Sequence, residues 1–238
     1  FDDIKTFDSY NKAIRMSAAA GLKDFSNYLL YNFVDKPLDL YQRLRINVEL
    51  CDELNVNIYS FPMKYHPIRK GKDDAEDLSH NRDYIGKHWN RKYIRAIQAI
   101  LNCTKGKVGK GITFFLEAFG NDETEYMELL EMPETFILYR FFFKWLDEKG
   151  SMGTDHWRQC WSHCMNTLAE DEKQLVLDII HTNTFYKEEL EAVTSADALK
   201  LLNFYTNYRK DIITPGTELY RLKQEYDENP TIQLRRKK

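Results

Sequence analysis

Apolar positions along the chain follow two different patterns, one before and one after about Ile68. From Asp8 to Ala20, Ile14 and Ala18 recur one helical turn apart, Asp8 or Ser9 can cap, and Gly21 stops the run, which predicts a helix. Tyr28-Leu29-Leu30-Tyr31-Asn32-Phe33-Val34 is short, mostly apolar and without helical polarity. Such a run predicts a strand buried on both faces, as in a parallel sheet. Asp35-Lys36-Pro37 then opens a second helix, with Asp35 placed to cap, Pro37 tolerated in the first turn and Asp39 complementing the dipole. Leu40, Leu44, Val48 and Cys51 give that helix an apolar stripe up to Leu54, and Val56 to Met63 predicts a second strand. Strand, helix and strand in so short a span make a βαβ crossover with parallel strands. Two strands bury too little surface to stand alone. No further clear strand follows, so the missing neighbours are expected upstream, and Phe1-Asp2-Asp3-Ile4 reads as the middle of a longer protein.

After Ile68 the chain is polar to about Lys87, which predicts a surface loop, and the remainder reads as helical. Helices are expected over Tyr84 to Cys103, Ile112 to Phe119, Glu123 to Leu130, Glu134 to Glu148, Thr154 to Leu168, Glu172 to Phe185 and Ala196 to Asp211. Gly120, Pro133, Gly150, Gly153 and Pro215 punctuate them, and Leu234 to Lys238 is expected to fray. The predicted architecture is therefore an α/β start over residues 1–70, a basic loop and helix over 71–110, and a mainly α-helical C-terminal domain over 111–238.

Composition narrows the function. The net charge is −3, so no global field draws the chain to nucleic acid or membrane. The longest apolar stretch, Phe136 to Phe143, is broken by Arg140 and is too short to span a bilayer. Four cysteines in 238 residues are too sparse for a disulfide scaffold, which points to a reducing cytoplasm.

The segment Tyr28 to Pro67 resembles the last two β/α units of the radical S-adenosylmethionine (SAM) partial TIM-type barrel. Tyr31-Asn32-Phe33-Val34-Asp35-Lys36-Pro37-Leu38-Asp39-Leu40 is similar to the fifth strand with its turn and helix, and Phe61-Pro62-Met63-Lys64-Tyr65-His66-Pro67 to the sixth strand. Gly86-Lys87-His88-Trp89-Asn90-Arg91-Lys92-Tyr93 looks like a segment that follows it in a bacterial subgroup of uncertain activity. The resemblance covers roughly residues 1 to 105. The defining Cys-x3-Cys-x2-Cys motif is absent, and Asn32 and Asp35 stand where many members carry glycines. The resemblance implies SAM and a 4Fe-4S cluster whose ligands lie outside this chain, an upstream half of the same protein as partner, and no catalysis by this chain alone. It places cofactor contacts at Asn32, Phe33, Met63, Lys64 and Tyr65, where parallel strands end.

Each candidate has a plainer alternative. Asn32 could bond a ribose hydroxyl or satisfy its own turn. Phe61 and Met63 share a sheet face, where core packing is the default and Met63 is the one placed to reach a cofactor. Between Lys64 and Lys110 there are twelve Lys or Arg against five Asp or Glu, while Asp122 to Glu134 carries six acids and no base. That segregation suits an anionic substrate, nucleic acid or an acidic partner, or two helices pairing with each other. Arg91 and Arg95, one turn apart, could grip a carboxylate or phosphate. Lys107 and Lys110 sit in a Gly/Lys run before a helix, which departs from the Walker pattern because Gly111 follows Lys110. His156, Cys160, His163 and Cys164 share one helix face, where a satisfied interior is favoured over zinc because a single straight helix cannot close a tetrahedron. No nucleophile–histidine–acid triad is supported. The second function class is thus a non-catalytic, mainly helical interaction module that uses the basic 64–110 region.

Overall fold

The computed structural model describes residues 1–67, 82–151, 153–207 and 213–230. The charged positions Arg69, Lys70, Lys72, Asp73, Asp74, Glu76 and Asp77, and the C-terminal tail, lie outside the described residues. The chain is mainly helical, with a two-stranded parallel sheet near its start. It divides into two compact units, Phe1–Leu130 and Glu131–Lys238.

In the first unit a 3-10 turn leads into α1 (Phe7–Ala19), then β1 (Asp24–Tyr31), α2 (Pro37–Leu54) and β2 (Asn57–Lys64). α3 (Arg91–Cys103), α4 (Ile112–Phe119) and α5 (Glu123–Glu131) follow. The crossover is the one expected, with Asp24 opposite Asn57 and Tyr31 opposite Lys64 in parallel register. α2 keeps its predicted stripe: Leu40, Leu44, Val48 and Cys51 are all buried. Ile14 of α1 joins Leu50, Cys51, Val56 and Ile58 in one core cluster, so both helices cover the same side of the sheet. α4 packs on α2 through Phe115, whose ring lies 5.4 Å from Tyr41, and this ties residues 112–119 to the sheet unit.

Three expectations are corrected. β1 starts at Asp24 and ends at Tyr31, because Asn32 adopts a left-handed φ of 68° and breaks the strand. Lys36, not Asp35, is the N-cap of α2; Asp39 accepts the Lys36 amide at 2.7 Å, and the Asp35 carboxylate is taken by the Phe33 amide and Arg43. Among the described residues, helices pack on one face of the sheet only. Leu29, Tyr31, Ile58 and Ser60 are buried, whereas Tyr28 and Met63, which point the other way, are 60% and 46% exposed.

The two edges of this sheet differ. Asn57 N–H donates to Lys23 C=O, and Tyr65 N–H to Tyr31 C=O, both at 2.8 Å. By alternation the odd-numbered residues of each strand face the partner strand and the even-numbered ones face outward. On β2 the outward groups are closed: Ser60 exchanges backbone hydrogen bonds with Val108, and Pro62 has no N–H to offer. On β1 the outward groups belong to Asp24, Ser26, Tyr28 and Leu30; among the described residues no strand is paired with them, and the Asp2 carboxylate accepts Leu30 N–H at 2.6 Å while Phe1 N donates to Tyr28 C=O and Arg43 to Leu30 C=O.

The second unit holds α6 (Glu134–Leu138), α7 (Arg140–Glu148), α8 (Thr154–Thr167), α9 (Glu170–Thr182), α10 (Lys187–Glu191), α11 (Ala196–Asn207) and α12 (Glu218–Glu228). The single helix expected over Glu134 to Glu148 is split at Tyr139. Phe136, Phe143 and Phe204 form its aromatic centre, with Phe136 and Phe143 centroids 4.4 Å apart. Buried Trp157 donates to the Tyr205 hydroxyl, which in turn donates to the Glu131 carbonyl at 2.7 Å. Among the described residues no helix is long and apolar enough to cross a membrane.

Arg43 locks the first unit. Its fully buried guanidinium donates to the carbonyls of Phe1, Leu30 and Asp39 and to the Asp35 carboxylate at 3.1 Å. Burial pushes the Arg43 guanidinium down and the Asp35 carboxyl up, and the pairing of the two opposes both shifts. Truncating one partner of a buried pair costs about 3–5 kcal/mol, because the other charge is left uncompensated. Arg43→Met is therefore expected to lower the unfolding free energy in urea by about 3 kcal/mol. A loss below about 1 kcal/mol would place the pair in the weak, solvent-screened class.

Candidate functional site

The carboxyl ends of β1 and β2 carry the predicted cofactor residues, and the local chemistry sorts them. Asn32 is fully buried and its side chain is engaged: Nδ2 donates to Tyr84 C=O at 3.0 Å and Tyr65 C=O at 3.3 Å, and Oδ1 accepts Gly86 N–H at 2.8 Å. This is the turn-satisfying role, extended to a strap over residues 84–90. Gly86 must be glycine, since a Cβ there would lie 2.5 Å from Phe33 O. Trp89 packs 5.4 Å from Tyr31 and donates its indole N–H to Asp35 C=O at 2.9 Å. Asn90 then caps α3 by accepting Tyr93 N–H at 2.7 Å. The helix expected from Tyr84 therefore begins only at Arg91, and the Gly86-to-Asn90 stretch is a clamp on the strand ends.

Phe33, Met63 and Tyr65 remain available. Phe33 is 42% exposed and its ring centroid lies 4.4 Å from that of Tyr65, which meets Tyr84 edge-on at 5.6 Å. Met63 lies opposite Leu30 on the uncovered face. Along that face the next pairs are Tyr28 with Phe61, stacked at 5.4 Å, and Ser26 with Tyr59. Lys64 faces the other way, and its ammonium donates to Arg82 C=O at 2.8 Å. Burial lowers the Lys64 ammonium, nearby Asp83 opposes that shift and nearby Arg91 adds to it.

The four predicted anion-binding residues do not converge. Arg91 and Arg95 lie on α3, Arg91 exposed and Arg95 half-buried, with Arg91 close to the carboxyl end of β2. Lys110 donates to Asn55, just before the amino end of that strand, at 3.0 Å. An eight-residue strand spans about 25 Å. Lys107 lies between these ends, its ammonium 5.1 Å from the centroid of Tyr59. The Gly/Lys run is pinned to β2 through Val108, so its backbone extends the sheet.

In the second unit His156, Cys160, His163 and Cys164 line a cavity of about 140 Å³ with Gln159, Asp197 and Lys200. His163 Nε2 lies 3.1 Å from Asp197 Oδ2, and Cys164 Sγ contacts Asp197 O at 3.4 Å. Burial raises both thiols, Cys164 to about 11. Among the described residues no group of three or more His, Cys, Asp or Glu is placed to hold a metal ion.

Sequence reasoning missed Tyr28, Tyr59 and Tyr84. The signal for the first two was the period-two alternation that it used for Phe61 and Met63.

Gly86→Ala is expected to destabilise the protein by about 2 kcal/mol in urea unfolding, because the clashing neighbours are backbone atoms. Preserved stability would mean that the strap is loosely held. Alkylation by iodoacetamide at neutral pH, followed by mass spectrometry, should modify exposed Cys103 first and leave buried Cys51, Cys160 and Cys164 protected. No family model matches the chain, and neither the curated proteins nor the solved structures searched contain a match.

Proposed function

We propose that this chain is the C-terminal part of a radical SAM enzyme, contributing one wall of a partial barrel that binds SAM and substrate. The supporting observation is the asymmetry of the sheet. Helices cover one face, the other carries Tyr28, Leu30, Tyr59, Phe61 and Met63, and among the described residues β1 has no strand on its outer edge, where Tyr28 and Leu30 are met only by Phe1, Asp2 and Arg43, while β2 is closed by Pro62 and Val108. That arrangement suits the last two strands of a barrel whose earlier strands reach β1 at Asp24 and Ser26 and whose interior is the apolar face.

In this assignment Phe33 and Tyr65 offer ring faces to the adenine, and Met63 covers it from the adjoining row. Asn32 holds the strap that shapes the site, and Lys64 supports the same strap from behind. The cluster, held by ligands outside this chain, supplies when bound the one electron that cleaves SAM to methionine and a 5′-deoxyadenosyl radical. A reducing cytoplasm suits four free cysteines.

A second reading, an interaction module for a polyanion, draws on the spread of Arg91, Lys107 and Lys110 along β2, which fits an extended partner better than a compact one.

The test is to sequence the coding DNA upstream of Phe1 and express the longer product anaerobically. A Cys-x3-Cys-x2-Cys loop, uptake of iron and sulfide, and SAM binding by calorimetry are expected. Phe33→Ala and Tyr65→Ala should each weaken that binding about tenfold, while Lys110→Ala should leave it unchanged. A start codon directly before Phe1, or failure of the iron-loaded protein to bind SAM, would refute the assignment.

A further inference from the structure

The uncovered sheet face carries more aromatic surface than a SAM site at the strand ends uses. Tyr28 and Phe61 form a cross-strand stacked pair in mid-sheet, and Tyr28 is 60% exposed. One row further from the strand ends, Tyr59 sits beneath the Lys107 ammonium. Gly109 of the same run lies beside that ring, where a Cβ would sit in ordinary van der Waals contact with Tyr59 at 3.4 Å. The face is thus a strip of rings with a cation beside it.

Planar ligands stack on exposed rings whatever their hydrogen-bonding edge, and flanking lysines neutralise phosphate. A purely apolar occupant would leave the Lys107 charge without a counterpart. A simple carboxylate would leave Tyr28 and Phe61 uncovered.

We infer that the Tyr28–Phe61–Tyr59 face binds the base of a nucleotide unit, with Lys107 at its phosphate. This names the substrate class for the barrel interior described above, and in that catalytic sense it rests on that assignment; the binding itself does not. The ligand is either a free nucleotide or one unit of a single-stranded nucleic acid, which share the same base and phosphate.

The experiment measures fluorescence polarisation of a labelled single-stranded RNA of mixed sequence with the full 238-residue chain, with UMP and GMP as competitors. Salt-sensitive binding is expected. Tyr28→Ala and Phe61→Ala should each weaken it about tenfold, and Lys107→Gln should weaken it several-fold and flatten its salt dependence. Met16→Ala, on exposed α1 surface, should change nothing. These side chains lie at the surface, so unchanged circular dichroism will show that the variants fold. A mononucleotide that binds as tightly as the oligonucleotide identifies the free nucleotide as ligand; a much tighter oligonucleotide identifies the strand. No binding of either probe, or binding that survives both aromatic substitutions, overturns the inference. Oligonucleotide binding by this chain, together with failure of the iron-loaded longer protein to bind SAM, would sink the enzyme assignment alone.

Discussion

A single buried guanidinium organises the first unit. Arg43 is fully buried, so each of its three guanidinium nitrogens must find an acceptor inside the protein. It finds them on Phe1, Leu30, Asp35 and Asp39, which belong to the start of the chain, the end of β1, the turn and the start of α2. Four segments that a strand-to-helix connection would leave loosely related are thereby held in one geometry. The same demand explains why Asp35 does not cap α2: its carboxylate is needed by Arg43, and the cap passes to Lys36 with help from Asp39.

With the turn fixed, Asn32 takes a left-handed backbone and aims its amide at residues 65, 84 and 86. The strap that results closes the buried side of the strand ends through Trp89 and leaves Phe33, Tyr65 and Met63 open on the other. The division between structural and available residues at the site therefore follows from satisfying buried polar groups, and burial of apolar surface has little part in it. The open side is where an adenine or a base would meet aromatic rings.

The βαβ crossover was legible because its signals are local: an apolar run, Pro37 in the first turn, a stripe at helical spacing and a second run. α2 ends at Leu54 and α4 spans Ile112 to Phe119, as the pattern predicts. What was not legible depended on partners distant in sequence. Nothing near Asp35 announces Arg43 as a competitor for its carboxylate. Tyr84 to Asn90 carries enough apolar residues to look like the first turns of α3, yet Gly86 is held against Phe33 O and Asn90 is a better cap than any earlier residue. α10 and α12 are short or polar enough that periodicity alone does not mark them. At the site, residue type suggested Asn32 as a ligand, but only its three long-range hydrogen bonds reveal where its amide is spent.

The segregation of charge has a related resolution. The basic stretch and the acidic stretch after it lie partly on α3 and α5, and helix ends use some of their charges. One contact between α3 and α5 joins a base of the first helix to the backbone of the second. Lys92, almost fully buried, donates to the carbonyl of Leu130 at 2.9 Å, within the last turn of α5. A cation at that position answers carbonyls with no partner inside the helix and the negative end of the helix dipole. The acids at the start of α5 are placed by the same rule: the Asp122 side chain accepts Glu125 N–H, and Glu125 accepts Asn121 N–H. Helix-end electrostatics therefore accounts for these members of both stretches. Lys107 is different, because its ammonium lies over the Tyr59 ring, which places its charge beside the open sheet face.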